Sequence, residues 1–263
     1  MNGKKKSVVL AIGGSDSSGG AGIQADIKTI TMCGSYAASA ITAITAQNTQ
    51  GVQQIKLLEA ELVRAQIRAV LADMDVTSIK IGMLGSAKLV AAVANELQGT
   101  AIPIILDPVM VAKGGANLLQ SDAVQQLKKH LIPMSSLVTP NAPEAEILSG
   151  MCIYGVDDQR RAAEQIMEMG AKAVLVKGGH ITGDIVCDLL LWSNGETLFE
   201  AHRINSHHTH GTGCTLASAI ATRLAQGLPL EEAVRLARNY VRIAIKTAPQ
   251  LGKGNGPLEH LQI

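Results

Sequence analysis

Short apolar runs that alternate with stretches of helical periodicity are the feature that most constrains this chain. Runs rich in Val, Ile and Leu predict strands at Ser7 to Ile12, Ser78 to Ile81, Ile102 to Leu106, Ser136 to Val138 and Ala173 to Val176. Runs that are apolar nearly throughout are typical of a sheet covered on both faces. Because parallel strands need a long crossover between them, usually a helix, the alternation predicts a mostly parallel sheet.

Helices between these strands are indicated by apolar residues three or four positions apart. The stripes are Ile23, Ile27 and Ile30; Val63, Ile67, Val70 and Leu71; and Leu216, Ile220 and Leu224. Gly34 follows the first stripe, and Gly227 with Pro229 follows the third, as is typical where a helix ends. Alternating helices and strands predict an α/β protein with a helix layer on each face of the sheet.

One pair of runs departs from the parallel pattern. Asp184 to Trp192 and Glu196 to Ala201 flank Asn194-Gly195, a dipeptide that favours a tight hairpin turn. The predicted fold is therefore α/β with three layers, α/β/α, and a mostly parallel central sheet that carries an antiparallel hairpin at one edge. In such folds ligands bind beyond the carboxyl ends of the strands, so the residues that follow each strand are candidates for a site.

Composition and charge indicate one compact domain over residues 1–263 and exclude some partners. The formal net charge of +1 creates no field that would gather nucleic acid or an anionic membrane. The basic run Lys4 to Lys6 is explained by a solvated terminus, and the apolar stretch Val8 to Ile12 is too short for a signal peptide or a membrane span. We therefore expect a cytoplasmic protein with no nucleic-acid or membrane partner.

The cysteines predict neither a zinc site nor a redox pair. They are Cys33, Cys152, Cys187 and Cys214, with no two-residue spacing among them. In a reducing compartment they should be free thiols, and the first three are interpreted as small buried hydrophobes.

A glycine-rich segment, Gly13 to Gly22, follows the first predicted strand and precedes a helix. Glycine lets the backbone approach a ligand closely, and the amides at a helix start favour anions. The spacing fits neither the dinucleotide-binding fingerprint nor the P-loop. Taken alone, the segment is as consistent with a flexible connection as with a binding loop.

A second polar segment, Asn205 to Cys214, leads directly into the Leu216 stripe. Gly211, Thr212 and Gly213 then lie at a helix N-terminus, where free N–H groups can hold the charge of a transferring phosphoryl group. The three histidines of this segment lack the spacing of a helical zinc site, so we expect solvated or supporting roles for them.

Cys214 is the candidate catalytic base. At the first turn of a helix the pKa of a thiol falls below its free value of about 8.5, so a partial thiolate could accept the proton of an attacking hydroxyl. The alternative is a buried structural cysteine.

Polar residues follow three other strands. Asn141 and Glu144 present oxygens three residues apart, as Mg²⁺ requires, although the same spacing also suits a helix cap. Asp107 ends another strand and could join the metal. Lys177, after the strand that ends at Val176, could meet a phosphate of ATP or be an ordinary surface lysine.

A set of short motifs, taken in order along the chain, carries a family resemblance. They are Gly13-Gly14-Ser15-Asp16 to Ala25-Asp26, Ile41-Thr42-Ala43 to Gln47-Asn48-Thr49, Lys80-Ile81-Gly82-Met83-Leu84, Asp107-Pro108 to Ala112-Lys113, Val138-Thr139-Pro140-Asn141, Lys177-Gly178-Gly179-His180 and Thr209-His210 to Cys214-Thr215. Together they resemble the hydroxymethylpyrimidine/phosphomethylpyrimidine kinases of thiamine biosynthesis. The resemblance runs from about Val8 to Gly256-Pro257.

The resemblance implies a single ribokinase-like kinase domain and a pair of successive reactions. Such an enzyme uses ATP and Mg²⁺ to phosphorylate 4-amino-5-hydroxymethyl-2-methylpyrimidine and then its monophosphate. Carried over by position, Asp26 and Gln47 would hydrogen-bond the aminopyrimidine, with Cys214 as the base. The pocket would be lined by Gly14, Ala21, Met83 and Val111. Relatives are usually dimers or larger, so a homo-oligomer is expected.

Alternatives remain at this point. The Gly-Thr-Gly-Cys form also resembles some pyridoxal kinases, which leaves phosphorylation of pyridoxal or pyridoxamine open. A non-catalytic sensor of a pyrimidine or nucleotide is a further possibility. Without the resemblance, Gln47 would be interpreted as a solvent-facing amide. Two local departures from the family pattern are His207-His208 and Gly254-Asn255-Gly256.

Overall fold

A single twisted sheet organises the chain. The structure is a computed structural model that describes residues 6–111, 115 and 118–261, so Lys4, Lys5, Ala112 and Lys113 of the segments named above lie outside it. In the described residues nine strands form one sheet in the order β3-β2-β1-β4-β5-β6-β7-β8-β9. They are β1 (Val8–Asp16), β2 (Tyr36–Asn48), β3 (Gly51–Leu57), β4 (Val76–Ile81), β5 (Ile104–Leu106), β6 (Leu137–Val138), β7 (Ala173–Val176), β8 (Ile185–Trp192) and β9 (Gly195–His202).

The central strands, β2, β1, β4, β5, β6 and β7 in the order of the sheet, are parallel. The strands at both edges of the sheet pair antiparallel. The hairpin of β8 and β9 lies at one edge of the sheet, as predicted, with Trp192 opposite Gly195 beside the turn. At the other edge β3 pairs antiparallel with β2. This second antiparallel pair was not predicted, because β2 is built largely from Ala, Ser and Thr rather than from a Val/Ile-rich run. The three-layer, mostly parallel architecture is confirmed.

Helices cover both faces of the sheet. They are α1 (Gly22–Met32), α2 (Ala60–Asp73), α3 (Ala87–Glu96), α4 (Ser121–Gln126), α5 (Ala142–Ser149), α6 (Val156–Glu168), α7 (Thr212–Ala225) and α8 (Leu230–Lys246). Buried residues of α2 to α6 share one core with Leu10 and Ile12 of β1, whereas those of α1, α7 and α8 share the other with Val9 and Ala11. Side chains of a strand alternate between faces, which accounts for the two cores.

The end of β1 differs from its prediction in a way that shapes the site. The strand does not stop at Ile12 but continues through Gly13 and Gly14 to Asp16, with an irregularity in its pairing to β2 between Gly13 and Ser15. This extension carries the Asp16 side chain into the loop that precedes α1.

The cysteines were predicted to be free thiols, and the first three of them to be buried. The four cysteines are free, and Cys33 is buried as expected. Cys152 is exposed and Cys187 half-buried, so the expectation of burial is wrong for Cys152. Within the described part of the chain, none of the helices has the length and apolar character to cross a membrane.

Candidate active site

The two glycine-rich segments lie backbone against backbone. Gly22 begins α1 with a φ of +55°, and Gly211 precedes α7 with a φ of +84°. A Cβ at Gly22 would collide with the carbonyl oxygen of Gly14, and one at Gly211 with that of Gly20. Only glycine combines these left-handed conformations with such close approach. The N-termini of α1 and α7 therefore meet at one place, beyond the carboxyl ends of the parallel strands.

Asp16 holds the first glycine-rich segment in one conformation. Its Oδ1 accepts hydrogen bonds from the backbone and hydroxyl of Ser18, both at 2.8 Å, and its Oδ2 accepts from the amides of Gly20 and Ala21 at 3.1 and 2.8 Å. Burial alone would raise its pKa, but hydrogen bonds from His210 and Ser18 hold the pKa below its usual value. The segment is therefore a fixed loop, not a flexible connection.

His210 connects this loop to the substrate side of the site. Its Nε2 lies 2.8 Å from Asp16 Oδ2 and 3.3 Å from Nε2 of Gln47. The ring is buried, so of the two roles expected for the histidines it takes the supporting one. Gln47 also lies within 3.2 Å of the Thr45 hydroxyl through its Oε1. Because the His210 Nε2–H donates to Asp16, it has no lone pair for the Gln47 amide, and the Thr45 hydroxyl is the group that holds Gln47 at the end of β2.

The C-terminal segment, residues 251–261, fastens these parts together. Asn255 donates its amide to the Thr49 carbonyl at 2.8 Å, and the Gly256 carbonyl accepts from the His210 amide at 3.1 Å. Further on, the His260 ring nitrogen lies 3.0 Å from the Thr215 hydroxyl at the start of α7. This segment reaches the β2–β3 turn, the loop of residues 205–211 that carries the histidines (the histidine loop) and the first turn of α7.

The two departures from the family pattern are in contact with each other. A Cβ at Gly256 would collide with Nδ1 of His208. The missing side chain in the C-terminal segment therefore makes room for the bulky histidine in the loop before α7.

A cavity of about 600 Å³ opens at this junction. It is lined by predicted substrate-binding residues: Gly14, Ala21, Gln47, Met83 and Val111. Its far end is lined by Gly211, Thr212, Gly213 and Cys214. A Cβ at Gly14 would lie 3.0 Å from the Met83 sulfur, so the two residues form one close-packed wall. The structure brings the predicted pocket and the predicted transfer site together.

Asp26 does not line this cavity. It is fully buried, and both of its carboxylate oxygens accept from the Lys80 ammonium, at 2.8 and 2.9 Å. Oδ1 also accepts from the Ser218 hydroxyl at 2.7 Å. A carboxylate so occupied has no face toward a ring in the cavity, so the expected contact between Asp26 and the pyrimidine does not fit this structure.

Lys80, the partner of Asp26, is a cavity-lining residue that the sequence analysis left without a role. A usable signal was present, because it is a lone charge inside an apolar strand, Ser78-Ile79-Lys80-Ile81. Fully buried lysines are rare unless paired. Burial opposes its charged form, but the Asp26 carboxylate more than offsets this and raises the pKa of Lys80.

Cys214 occupies the expected place but not the expected protonation state. It is the third residue of α7 and lines the cavity. Burial raises the pKa of its thiol to about 11, and the Lys80 ammonium opposes the rise only in part. The prediction of a partial thiolate near neutral pH is therefore wrong for the free protein, because desolvation outweighs the helix N-terminus.

Asn141 and Glu144 form the helix cap that was one of their two interpretations. Asn141 Oδ1 accepts from the Glu144 amide at 2.9 Å, and Glu144 Oε2 accepts from the Asn141 amide at 2.8 Å. Burial raises the pKa of Glu144 to about 7, with Lys177 opposing the rise and Asp107 adding to it. Lys177 donates to Asp107 Oδ1 at 3.0 Å. Two carboxylates and one lysine are thus gathered at the ends of β5, β6 and β7.

These oxygen donors suit a phosphate-bound Mg²⁺ and not a metal held by protein alone. Among the described residues, no group of three or more His, Cys, Asp or Glu side chains is arranged to hold a metal ion. Mg²⁺ is commonly held by one or two carboxylates together with water and substrate phosphates. Glu144 and Asp107 supply hard oxygen donors whose negative charge Lys177 balances in part, so this donor set fits the ion.

A second cavity of about 710 Å³ shares a wall with the first. The residues common to both are Asn141, Lys177, His180, Thr209, Thr212 and Gly213. Its outer wall includes the loop of residues 178–183, whose Gly178 amide donates to Asp188 Oδ1 at 2.8 Å. Two cavities that meet at a lysine and a helix N-terminus can hold two substrates with their reacting ends together.

Arg203 holds the loop that forms this outer wall, and the sequence analysis did not single it out. Its guanidinium donates to the carbonyls of Gly179 and Gly183, each at 2.8 Å, and of Ile181 at 2.5 Å. One side chain therefore fixes three backbone groups of a single loop. No sequence signal distinguishes it from other surface arginines.

Comparison with known proteins agrees with this geometry. The chain spans 96% of the length of a hydroxymethylpyrimidine/phosphomethylpyrimidine kinase of Rhizobium meliloti, with 49% identity over 258 residues covering 96% of this chain. It is also 49% identical over 254 residues to the thiamine biosynthesis bifunctional protein ThiED of Geobacter sulfurreducens, covering 96% of this chain but only 52% of that protein.

Solved structures show the same fold. The crystal structure of phosphomethylpyrimidine kinase from Clostridium difficile 630 has a TM-score of 0.82 and 42% identity, covering 91% of this chain and 100% of that chain. The pyridoxal kinase of Staphylococcus aureus in complex with AMP-PCP and pyridoxal has a TM-score of 0.90 and 31% identity, covering 98% of this chain and 94% of that one. The fold is therefore that of the ribokinase-like kinases.

Residues 16–259 match the model of the phosphomethylpyrimidine kinase family. That range includes Lys177 and the first turn of α7, which lie in the wall shared by the two cavities. It also includes Gln47, which lines the first cavity. Sequence match, fold and site geometry agree, and the chain belongs to the phosphomethylpyrimidine kinase family.

Proposed function

We propose that this protein uses ATP to phosphorylate 4-amino-5-hydroxymethyl-2-methylpyrimidine to its monophosphate and then to its diphosphate, for thiamine biosynthesis. The observation that carries the proposal is the shared wall at Lys177 and Gly213, which separates a cavity lined by Gln47 and Met83 from the cavity beneath the Arg203-held loop. The pyrimidine occupies the first cavity and the nucleotide the second.

The first cavity suits an aminopyrimidine. The Gln47 amide can both donate to a ring nitrogen and accept from an exocyclic amine. Met83 and Val111 supply apolar surface for the ring and its methyl group, and Val111 keeps 47% of its surface exposed without a substrate. A ring held by Gln47 directs its hydroxymethyl group toward Cys214 and the α7 turn.

Phosphoryl transfer then needs positioning and charge stabilisation more than covalent chemistry. The hydroxymethyl oxygen attacks the γ-phosphorus, the bond from that phosphorus to the leaving oxygen of ADP breaks, and the hydroxyl proton passes to the Cys214 thiolate, which becomes a neutral thiol. N–H groups of the first turn of α7 face the transferring group, because they lack partners within the helix. Lys177 adds a positive charge from the end of β7.

Magnesium fits beside these groups. Bound between the phosphates and the protein, Mg²⁺ would neutralise phosphate charge, with Asp107, Asn141 and Glu144 as the residues that hold it. Glu144 must be ionised for this role, and the raised pKa of its free carboxyl predicts that metal binding releases a proton from it near neutral pH.

The protonation state of Cys214 provides the test. Because the pKa of its thiol is about 11, the thiolate is a minor species at neutral pH, and kcat should rise about tenfold per pH unit from pH 7 to 9. Cys214→Ala should lower kcat by about a hundredfold or more, leave KM nearly unchanged and abolish the rise. Cys152→Ala, at an exposed thiol, is the matched control. Unchanged turnover in Cys214→Ala would remove this residue from the mechanism.

A second candidate substrate is pyridoxal, because a pyridoxal kinase shares the fold with a TM-score of 0.90. ADP release should be compared with hydroxymethylpyrimidine, its monophosphate and pyridoxal at equal concentrations. Turnover of both pyrimidines is the expected result, and turnover of pyridoxal alone would reassign the substrate. ATP consumption that depends on hydroxymethylpyrimidine or on pyridoxal would exclude a non-catalytic sensor. A dimeric state and a cytoplasmic location remain predictions from the sequence.

A further inference from the structure

The buried pair of Lys80 and Asp26 is a charged group that the phosphorylation mechanism above does not use. Lys80 in β4 and Asp26 in α1 are both fully buried, and their atoms lie 2.8 and 2.9 Å apart. Placing two charges in a protein interior costs free energy that their attraction often fails to return. A pair at this position therefore calls for an explanation other than stability.

The pair is linked to the catalytic thiol through both neighbouring helices, because the backbone of Gly22 in α1 forms a hydrogen bond with the Cys214 sulfur in α7. Asp26 is four residues after Gly22, the first residue of α1, and Ser218 is four residues after Cys214 on α7. The Ser218 hydroxyl donates to Asp26 at 2.7 Å. Residues four apart on a helix lie on one face, so the network from Lys80 to Ser218 forms the floor under Cys214.

Lys80 is held so that its charge cannot move away from this floor. A Cβ at Gly82 would lie 2.8 Å from the Lys80 ammonium, which shows how closely backbone covers it. Only about 1% of the side chain is exposed, although the residue borders the cavity that Cys214 also lines. A fixed positive charge in a water-poor site stabilises a nearby thiolate without having to reorganise.

Four charged groups act on the Cys214 thiol, from four different elements. Lys80 lies in β4, Asp26 in α1, Asp107 after β5 and Lys177 after β7. Burial has the largest effect on the pKa of the thiol and raises it. Among the charged groups, Lys80 has the largest effect on this pKa and lowers it. Lys80 borders the cavity that Cys214 also lines, whereas its partner Asp26 does not, so the ammonium is the member of the pair on the side of the thiol.

We propose that Lys80, anchored by Asp26, is a positioning residue whose fixed charge stabilises the thiolate of Cys214, the form of this sulfur that accepts the substrate's proton as base. The inference rests on the role of Cys214 proposed above. Asp26 then contributes by holding the ammonium and not by touching the pyrimidine.

The test measures the reactivity of Cys214 without turnover. Alkylation of the free protein by iodoacetamide is followed at the Cys214 peptide by mass spectrometry, with the exposed Cys152 peptide in the same digest as internal reference. Only the thiolate reacts, so the ratio of the two rates reports the charge balance at Cys214. Lys80→Met should lower the ratio about tenfold at pH 8.5 and lower kcat with little change in KM.

Two further variants keep the test decisive. Lys80→Met leaves Asp26 unpaired and could fail to fold, so Lys80→Met/Asp26→Asn removes both charges and should still lower the ratio about threefold, because the ammonium dominates at the thiol. Ser218→Ala removes one hydrogen bond of the network but no charge, and should change the ratio less than twofold. An unchanged ratio in a folded Lys80 variant overturns the inference. Loss of the Cys214→Ala effect on turnover would instead overturn the assignment of the base.

Discussion

Two lysine–carboxylate pairs lie close enough to Cys214 to act on its thiol, and they differ in access. Lys80 and Asp26 are sealed, with about 1% and 0% of their side chains exposed. Lys177 and Asp107 are joined by a single 3.0 Å contact, with 14% of the lysine side chain exposed, at the wall where the two cavities meet. The chemical groups are the same, but only the second pair can be reached by a phosphate.

Access decides what each pair can do. A sealed pair keeps its ions together and acts on its surroundings as a constant field. An open pair can exchange its partner, so the lysine can leave Asp107 for a phosphate while the freed carboxylate turns to a cation. The site therefore places one fixed and one exchangeable ammonium along the lining of one cavity.

Removal of the exchangeable ammonium should have the largest effect. Lys177→Met should lower kcat by on the order of a hundredfold to a thousandfold, because a charge that meets the transition state is lost. Lys177→Arg should recover part of the rate, since the positive charge remains. Initial rates of ADP release with saturating pyrimidine measure both.

Lys172→Met is the control for this comparison, because Lys172 is exposed just before β7 and borders neither cavity. A Lys177→Met enzyme within about threefold of the native rate would place Lys177 outside the transition state and remove the distinction between the two pairs.

Breaking the sealed pair should show in stability before it shows in rate. Asp26→Asn leaves the Lys80 ammonium buried without its carboxylate and should lower the free energy of unfolding by about 3 kcal/mol. Asp107→Asn, at the less buried pair, should lower it by about half as much, because 14% of the Lys177 side chain is exposed and Glu144 remains as a second negative neighbour. Urea unfolding followed by circular dichroism measures both. Equal losses would mean that the two pairs do not differ in burial as described.

The smallest effect is expected at the loop that follows Lys177. Arg203→Met removes the hydrogen bonds to three backbone carbonyls of residues 178–183. Because nucleotide binding must then order this loop, the KM for ATP should rise about tenfold. The KM for the pyrimidine and kcat should stay nearly unchanged. Arg161→Met, at an arginine paired with Asp158 on the exposed face of α6, is the matched control. A rise in the pyrimidine KM instead would show that the loop serves the other cavity.

Much of this architecture could be predicted from local patterns. The ends of β5, β6 and β7 were predicted correctly, which placed Asp107, Asn141 and Lys177 together at the carboxyl ends of neighbouring strands. β2 and β3 were not, because β2 has few of the branched residues that mark a buried run. Its pairing to β1 and β3 is a tertiary property that no local window contains.

The same division holds at the site. The helix start at Cys214 and its glycine turn were predictable from spacing, whereas the enclosure that raises the pKa of its thiol depends on elements far away in sequence. Asp26 was identified by resemblance, but its bond to Lys80 spans 54 positions and could not be predicted from either segment. Pairwise contacts of this kind decide whether a carboxylate faces a ligand or a lysine.

The contacts of the C-terminal segment make the two cavities depend on each other. Residues 253–261 make all the contacts described above to Thr49, His210 and Thr215. A substitution that loosens these residues would free the β2–β3 turn, the histidine loop and the first turn of α7 at once. Substrate recognition and phosphate binding should therefore be lost together in such a variant.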